Sequence, residues 1–145
     1  MNDQKRITQK AHQQMTAAIQ LVEASLKTTG PYAPHKNYTP KELEPYDALS
    51  DRFIRAVEIC LKFFRGYERL LFAESSDTLR DTLNRMAKIR LISSTELWLR
   101  MRDVRNRIVH AYLPENIGKI YADIMNVFGN ELSQLKARDI PELWE

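Results

Sequence analysis

The chain has 145 residues, 43% of them hydrophobic and 28% charged, with four glycines and a formal net charge of +3. This size and composition exclude a disordered chain and predict one globular domain, residues 1–145, around a single core. No stretch approaches the roughly 20 apolar residues that cross a bilayer, and no secretory leader is recognisable, so we expect a cytoplasmic protein without membrane contact.

The first half of the chain predicts two long helices. Residues 7–27 carry apolar side chains at spacings of three and four, and Gly30 and Pro31 follow the expected end of this helix. The segment Thr39-Pro40-Lys41-Glu42 predicts a capping box. We expect the second helix to pause at Pro45 and then to run over residues 46–73.

The second half predicts three further helices. Residues 75–77 are expected to cap a third helix over 77–88, and Ser93-Ser94-Thr95-Glu96 to form a capping box for a fourth over 95–112. Pro114 ends the fourth helix. The fifth begins at Glu115 and carries an apolar face from Ile117 to Leu135.

Strand signals and repeats are absent, so the predicted fold class is all-α, an up-and-down bundle of about five helices. The apolar-rich tail, residues 140–145, either folds back on the bundle or docks on a partner.

The lone Cys60 lies on an apolar helix face and cannot form an internal disulfide, which predicts a buried small hydrophobe in a reducing compartment. The single Cys and three His lie far apart, so we expect no metal site and no cofactor.

Positive charge is concentrated in residues 80–107, which contain eight Lys and Arg against three Asp and Glu. A local basic patch of this kind is typical of a protein that binds a phosphate-bearing partner. A solvated helix face is the alternative interpretation.

The basic segment leads into the octapeptide Arg105-Asn106-Arg107-Ile108-Val109-His110-Ala111-Tyr112. Its pattern is R-x4-H-x-Y. Arginine binds phosphate through a fixed charge and a fork of donors, and histidine transfers protons near neutral pH. Arg105 and His110 are therefore the candidate catalytic residues, and Arg102 and Arg107 the candidate RNA-binding residues.

Helix geometry restricts how this motif can act. Arg105 and His110 are five residues apart, which on a straight helix separates their directions by about 140°. Either the helix loosens near Pro114, or two chains pair through this helix and combine their motifs. Asn106 is expected to hydrogen-bond His110, and Asp103 either does the same or, as we favour, pairs with Arg107.

The octapeptide resembles the signature of the HEPN superfamily, and its terminal Tyr112 narrows the resemblance to HepT-like toxins. The resemblance implies a homodimer with a composite cleft at the motif helix. It also implies a partner, an MNT-type nucleotidyltransferase antitoxin that transfers adenylyl groups from ATP to Tyr112.

The motif, together with the resemblance to HepT-like toxins, predicts that the protein is the toxin of a HEPN/MNT toxin–antitoxin module. It is expected to act as a metal-independent endoribonuclease on RNA. The 2′-hydroxyl of RNA supplies the nucleophile, His110 transfers protons, and Arg105 stabilises the charged phosphate. One alternative is a non-catalytic helical adaptor or substrate-binding subunit of a nucleotidyltransferase. Another is a dimeric structural bundle with a coincidental motif.

Overall fold

Residues 3–145 are described by a computed structural model; Met1 and Asn2, at the start of the predicted domain, lie outside the described residues. Across residues 3–145 the chain is helical and forms no strand, so the predicted all-α class is confirmed. None of the helices in this range is long and apolar enough to cross a membrane. In chain order the elements are α1 (Asp3–Thr28), α2 (Pro40–Phe72), α3 (Leu79–Lys88), α4 (Thr95–Arg102), α5 (Val104–His110), α6 (Pro114–Asp123), a π-helical turn (Ile124–Phe128), α7 (Gly129–Ala137) and α8 (Pro141–Trp144).

Helices α1 and α2 pack antiparallel along most of their length. The Gln4 amide donates a hydrogen bond to the carbonyl of Gly66, while towards the other end Arg52 donates to Ser25. Helix α7 packs on α1, and α3 and α4 pack on α2, which confirms the predicted bundle. The core is a cluster of buried apolar side chains; its largest fully buried members include Trp98, Phe53, Phe63, Phe64 and Phe128.

Cys60 belongs to this core, as the apolar pattern of α2 predicted. Burial in apolar surroundings raises the pKa of its thiol, because the charged thiolate would lose its hydration. The interpretation of Cys60 as a buried hydrophobe is therefore confirmed.

The predicted capping box at the start of α2 is confirmed. The Thr39 hydroxyl accepts from the backbone N–H of Glu42, and the Glu42 carboxylate accepts from the N–H of Thr39. The predicted pause at Pro45 is wrong, since α2 continues through this residue. Pro45 has no N–H to donate to the carbonyl of Lys41, so the helix continues with one backbone bond missing in its second turn.

The predicted start of the third helix is wrong by two residues, whereas the predicted start of the fourth at Thr95 is confirmed and only its capping box is wrong. Thr78, rather than residues 75–77, caps α3 by accepting from the N–H of Asp81 at 3.1 Å. Ser94 caps α4 by accepting from the N–H of Leu97 at 3.1 Å. The hydroxyl of Ser93 does not complete a capping box, because it donates instead to the carboxylate of Glu131 in α7.

The fifth predicted helix is divided into α6, the π-helical turn and α7. The N–H of Gly129 donates to the carbonyl of Ile124, five residues back, and this wider turn shifts the phase of the apolar face. As a result Val127, predicted on that face, is 42% exposed, whereas Phe128 is buried. A Cβ at position 129 would lie 2.8 Å from Leu26 of α1, so glycine permits the close approach of these helices.

A buried carboxylate stabilises the turn between α2 and α3. Glu68 accepts hydrogen bonds from the backbone and hydroxyl of Ser76 and from the hydroxyl of Thr82, and it lies 3.3 Å from Arg85. Burial alone would raise the pKa of Glu68, but these hydrogen bonds and the charge of Arg85 outweigh it and leave the pKa below its ordinary value. The ionised form of Glu68 therefore favours the folded state.

Helix α3 ends in a left-handed residue. Arg90 has a φ of 64°, in the region that favours glycine, and the N–H of Leu91 donates to the carbonyl of Met86. This is a Schellman-type helix end in which arginine occupies the usual glycine position. The backbone of Arg90 is therefore under local strain.

The C-terminal tail folds back on the bundle, which decides between the two alternatives left open by the sequence. Leu143 is fully buried, and the Gln9 side chain donates to its carbonyl. The His12 ring lies edge-on to Phe63 and Trp144, with centroid distances of 5.4 and 5.7 Å. Burial lowers the pKa of His12, since the imidazolium would be poorly solvated there.

Candidate functional site

The octapeptide lies on a helix that is broken immediately before it. The sequence predicted one helix over residues 95–112, but α4 ends at Arg102 and α5 begins at Val104. Asp103 lies between them with a ψ of −8°, far from the value near −42° of a regular α-helix. The prediction of one continuous helix over residues 95–112 is therefore wrong.

The end of the motif is extended rather than helical. Helix α5 stops at His110, and Ala111 has a ψ of 118°. Leu113 precedes Pro114 and is also extended, as the steric clash between a proline ring and the preceding residue requires. Tyr112 consequently lies between two helices and is 84% exposed.

Arg105 lies at the surface facing α2. Its Nη1 atom is 3.9 Å from Oε1 of Glu58, and its side chain is 69% exposed. It contributes to a groove of about 590 Å³ that also includes Ile54 and Lys62 of α2. An exposed ion pair of this length contributes little to stability, so the guanidinium can be redirected to another anion at low cost.

His110 lines a different pocket, of about 210 Å³, between the end of α5 and α6. Arg107, Asn116 and Lys119 also line it, whereas Arg105 does not. A single chain thus does not bring the two predicted catalytic residues into one pocket.

The predicted hydrogen bond from Asn106 to His110 is wrong. The Asn106 amide donates instead to Oδ1 of Asp103 at 3.2 Å. An ionised carboxylate is the stronger acceptor, and Asp103 is three residues back, within reach on one helix face. Asp103 and Asn106 together line a groove of about 410 Å³ that also contains Arg100 and Arg102.

The favoured pairing of Asp103 with Arg107 is also wrong. Nη2 of Arg107 contacts Oδ2 of Asp123 at 3.0 Å, across the interface between α5 and α6. Asp123 is buried, and a buried carboxylate needs a cationic partner more than an exposed one does. Of the two predicted RNA-binding residues, Arg102 is exposed and Arg107 is half-buried in this ion pair.

Sequence reasoning missed Lys119 and Asn116, which lie near His110 although they belong to the next helix. One signal was available. Asp123 interrupts the apolar face of the fifth predicted helix, and an acidic residue on such a face usually has a cationic partner. Among residues 3–145, no group of three or more His, Cys, Asp or Glu is arranged to bind a metal.

A comparison to protein families identifies the family of this chain. Residues 6–139 match the family described as nucleotidyltransferase substrate binding protein like. The chain belongs to this family, which is the HepT/HEPN-like one. The predicted resemblance is confirmed for the family, while the assignment to its toxins stays a prediction. A comparison with curated proteins gives no significant match.

Proposed function

We propose that this protein is the toxin of a HEPN/MNT module and cleaves RNA without a metal ion, using Arg105 and His110. The observation that carries the proposal is the position of His110, exposed at the end of α5 beside Arg107 and Lys119. A proton-transfer group that shares a pocket with two cations suits chemistry at a phosphodiester.

The proposed reaction uses the 2′-hydroxyl of RNA as nucleophile. Its proton is removed as its oxygen attacks phosphorus, the bond from phosphorus to the 5′-oxygen breaks, and that oxygen receives a proton. The products are a 2′,3′-cyclic phosphate and a 5′-hydroxyl. His110 transfers protons, and Arg105 stabilises the additional negative charge that develops on the phosphate oxygens.

The proposed active form is a homodimer through the motif segment, because one chain leaves Arg105 and His110 in separate pockets. Two-fold pairing through this segment would place Arg105 of each chain near His110 of the other. The segment also exposes apolar side chains: Val109 is 66% exposed and Leu113 is 60% exposed. Such exposed apolar residues beside an incomplete site favour a second copy as the occupant.

Regulation by adenylylation at Tyr112 is part of the proposal. The hydroxyl oxygen would attack the α-phosphate of ATP, lose its proton and release pyrophosphate, catalysed by the partner nucleotidyltransferase. Tyr112 suits this reaction because its side chain is 84% exposed in an extended segment. The added phosphate would bring negative charge beside the proposed RNA site and compete with RNA.

A second candidate function is a non-catalytic substrate-binding subunit of a nucleotidyltransferase. The family description, which names nucleotidyltransferase substrate binding, favours it. This candidate predicts binding to the nucleotidyltransferase or its substrate with no cleavage of RNA at any protein concentration.

Cleavage of RNA by the purified protein in EDTA tests the main proposal. The wild type should cleave, and His110→Ala and Arg105→Ala should each lose cleavage and growth arrest while remaining folded. His35→Ala and Arg65→Ala are matched controls, since both side chains are exposed and lie outside the motif. Wild-type protein of unmodified mass that cleaves no RNA would favour the binding subunit.

Co-expression with the nucleotidyltransferase tests the regulatory part. Intact-mass measurement should show added adenylyl groups on the wild type, and peptide mapping should place them on Tyr112. Tyr112→Phe should stay unmodified. Adenylyl groups on another residue would contradict this assignment without affecting the cleavage proposal.

A further inference from the structure

The pocket beside His110 contains a cation to which neither the motif nor the family match gives a role. Lys119 belongs to α6, outside the octapeptide, and lines this pocket together with Asn116 and Arg107. Its side chain is 72% exposed and therefore accessible to a ligand in solution.

A buried carboxylate determines where the two cations of the pocket lie. Oδ2 of Asp123 contacts Arg107 at 3.0 Å, and Oδ1 contacts Lys119 at 3.4 Å. The Asp123 side chain is only 11% exposed, and a buried carboxylate requires partners of this kind. One anion thus faces two cations, and the group keeps a net positive charge.

The chemistry of this group suits one phosphate. A lysine ammonium has three N–H donors, of which Asp123 takes one, and the Asn116 amide offers two more donors on the pocket wall. The pocket volume of about 210 Å³ is smaller than the usual site for a whole small molecule. It suits a charged group rather than a complete nucleotide.

We infer that Lys119, positioned by Asp123, binds a phosphate of the RNA strand next to His110 of the same chain. This inference rests on the proposed function and names how its substrate is held. In the proposed dimer, Arg105 of one chain stabilises the reacting phosphate, while Lys119 of the other chain fixes the strand beside the imidazole. Lys119 is therefore a substrate-binding residue rather than a proton donor.

The salt dependence of binding tests this contact directly. The probe is a single-stranded DNA oligonucleotide, which lacks the 2′-hydroxyl and so cannot be cleaved by the proposed reaction. Each phosphate contact in a single strand contributes about 0.7 to the slope of log affinity against log salt concentration. Lys119→Gln should weaken binding and reduce the slope by about 0.7, whereas Lys119→Arg should retain the slope.

Lys10→Gln is the matched control, because it removes the same charge from an exposed position on α1. Its slope should change much less than that of Lys119→Gln. Circular dichroism and thermal unfolding should show that both variants remain folded, since both side chains are exposed.

Two outcomes overturn the inference: a Lys119→Gln slope equal to that of the wild type, or a wild type that does not bind the oligonucleotide. Failure of the ribonuclease proposal would be seen in the cleavage assay and not in the salt dependence of binding. If the wild type cleaves no RNA in EDTA while the slope still depends on Lys119, the phosphate site stands and the ribonuclease proposal falls.

Discussion

Removal of the Glu131 carboxylate should destabilise the fold strongly, because Glu131 links α7 to the start of the helix before the motif. Its carboxylate accepts from the indole N–H of Trp98 at 2.8 Å and from the backbone and hydroxyl of Ser93. Glu131 and Trp98 are both buried, at 6% and 0% exposed. Glu131→Ala leaves the indole donor without an acceptor and costs about 1–3 kcal/mol for that donor alone.

Loss of the hydrogen bonds from Ser93 costs less, because Ser93 is exposed and water can accept part of these bonds instead. We therefore expect Glu131→Ala to lower the free energy of unfolding by about 2–4 kcal/mol. Urea unfolding followed by circular dichroism measures this quantity. Gln134→Ala, an exposed position on the same helix, is the control and should change it by less than about 0.5 kcal/mol.

A double-mutant cycle separates the hydrogen bond from other effects. Trp98→Phe removes the indole donor, so Glu131→Ala should cost about 1–2 kcal/mol less in that background than in the wild type. A cost below about 1 kcal/mol in the wild type, or no coupling between the two positions, would refute the reasoning.

Three further predictions concern other parts of the fold. Glu68 has a lower pKa folded than unfolded, so its stabilisation is present above about pH 4.5 and lost as pH falls through the folded value. Glu68→Gln should flatten this acid dependence in urea unfolding, and an unchanged dependence would contradict the role of the carboxylate. The folded pKa of His12 is also lowered, so its contribution is complete above about pH 6.5 and declines below it. His12→Leu should reduce the change in Trp144 fluorescence between pH 7 and 5. A change equal to that of the wild type would show that the tail does not respond to protonation of His12. Arg90→Gly should raise the free energy of unfolding by about 0.5–1 kcal/mol by relieving left-handed strain, whereas Ala17→Gly, inside α1, should lower it by about 1 kcal/mol. A loss of stability in Arg90→Gly would show that the arginine side chain compensates for its backbone.

The helices could be predicted from the sequence wherever an apolar stripe and a cap agreed. The α1 stripe and the Thr39 capping box are examples, since both depend on short-range spacing. The break at Asp103 and the π-helical turn before Gly129 could not be predicted in this way. Both occur within segments whose apolar spacing fits a continuous helix, and they reflect how the segment packs on its neighbours.

Much less of the candidate site could be predicted. The motif pattern identified Arg105 and His110, and helix geometry predicted that they would point apart. Asn106 was predicted to bond His110, but it bonds the carboxylate of Asp103, which is the stronger acceptor. The partner of Arg107 was predicted wrongly because the prediction considered only neighbours on the same helix. Arg107 in fact contacts Asp123, sixteen residues away and on the next helix. Lys119 was missed for the same reason.

The most direct test of the central claim is a mixed dimer. Arg105→Ala and His110→Ala chains with different tags are co-expressed, and the dimer that carries both tags is purified. Each single-variant dimer should be inactive on RNA in EDTA. The mixed dimer combines an intact Arg105 with an intact His110 at one of its two sites and should regain about half of the wild-type activity. A mixed dimer as inactive as its parents would contradict a site shared between two chains.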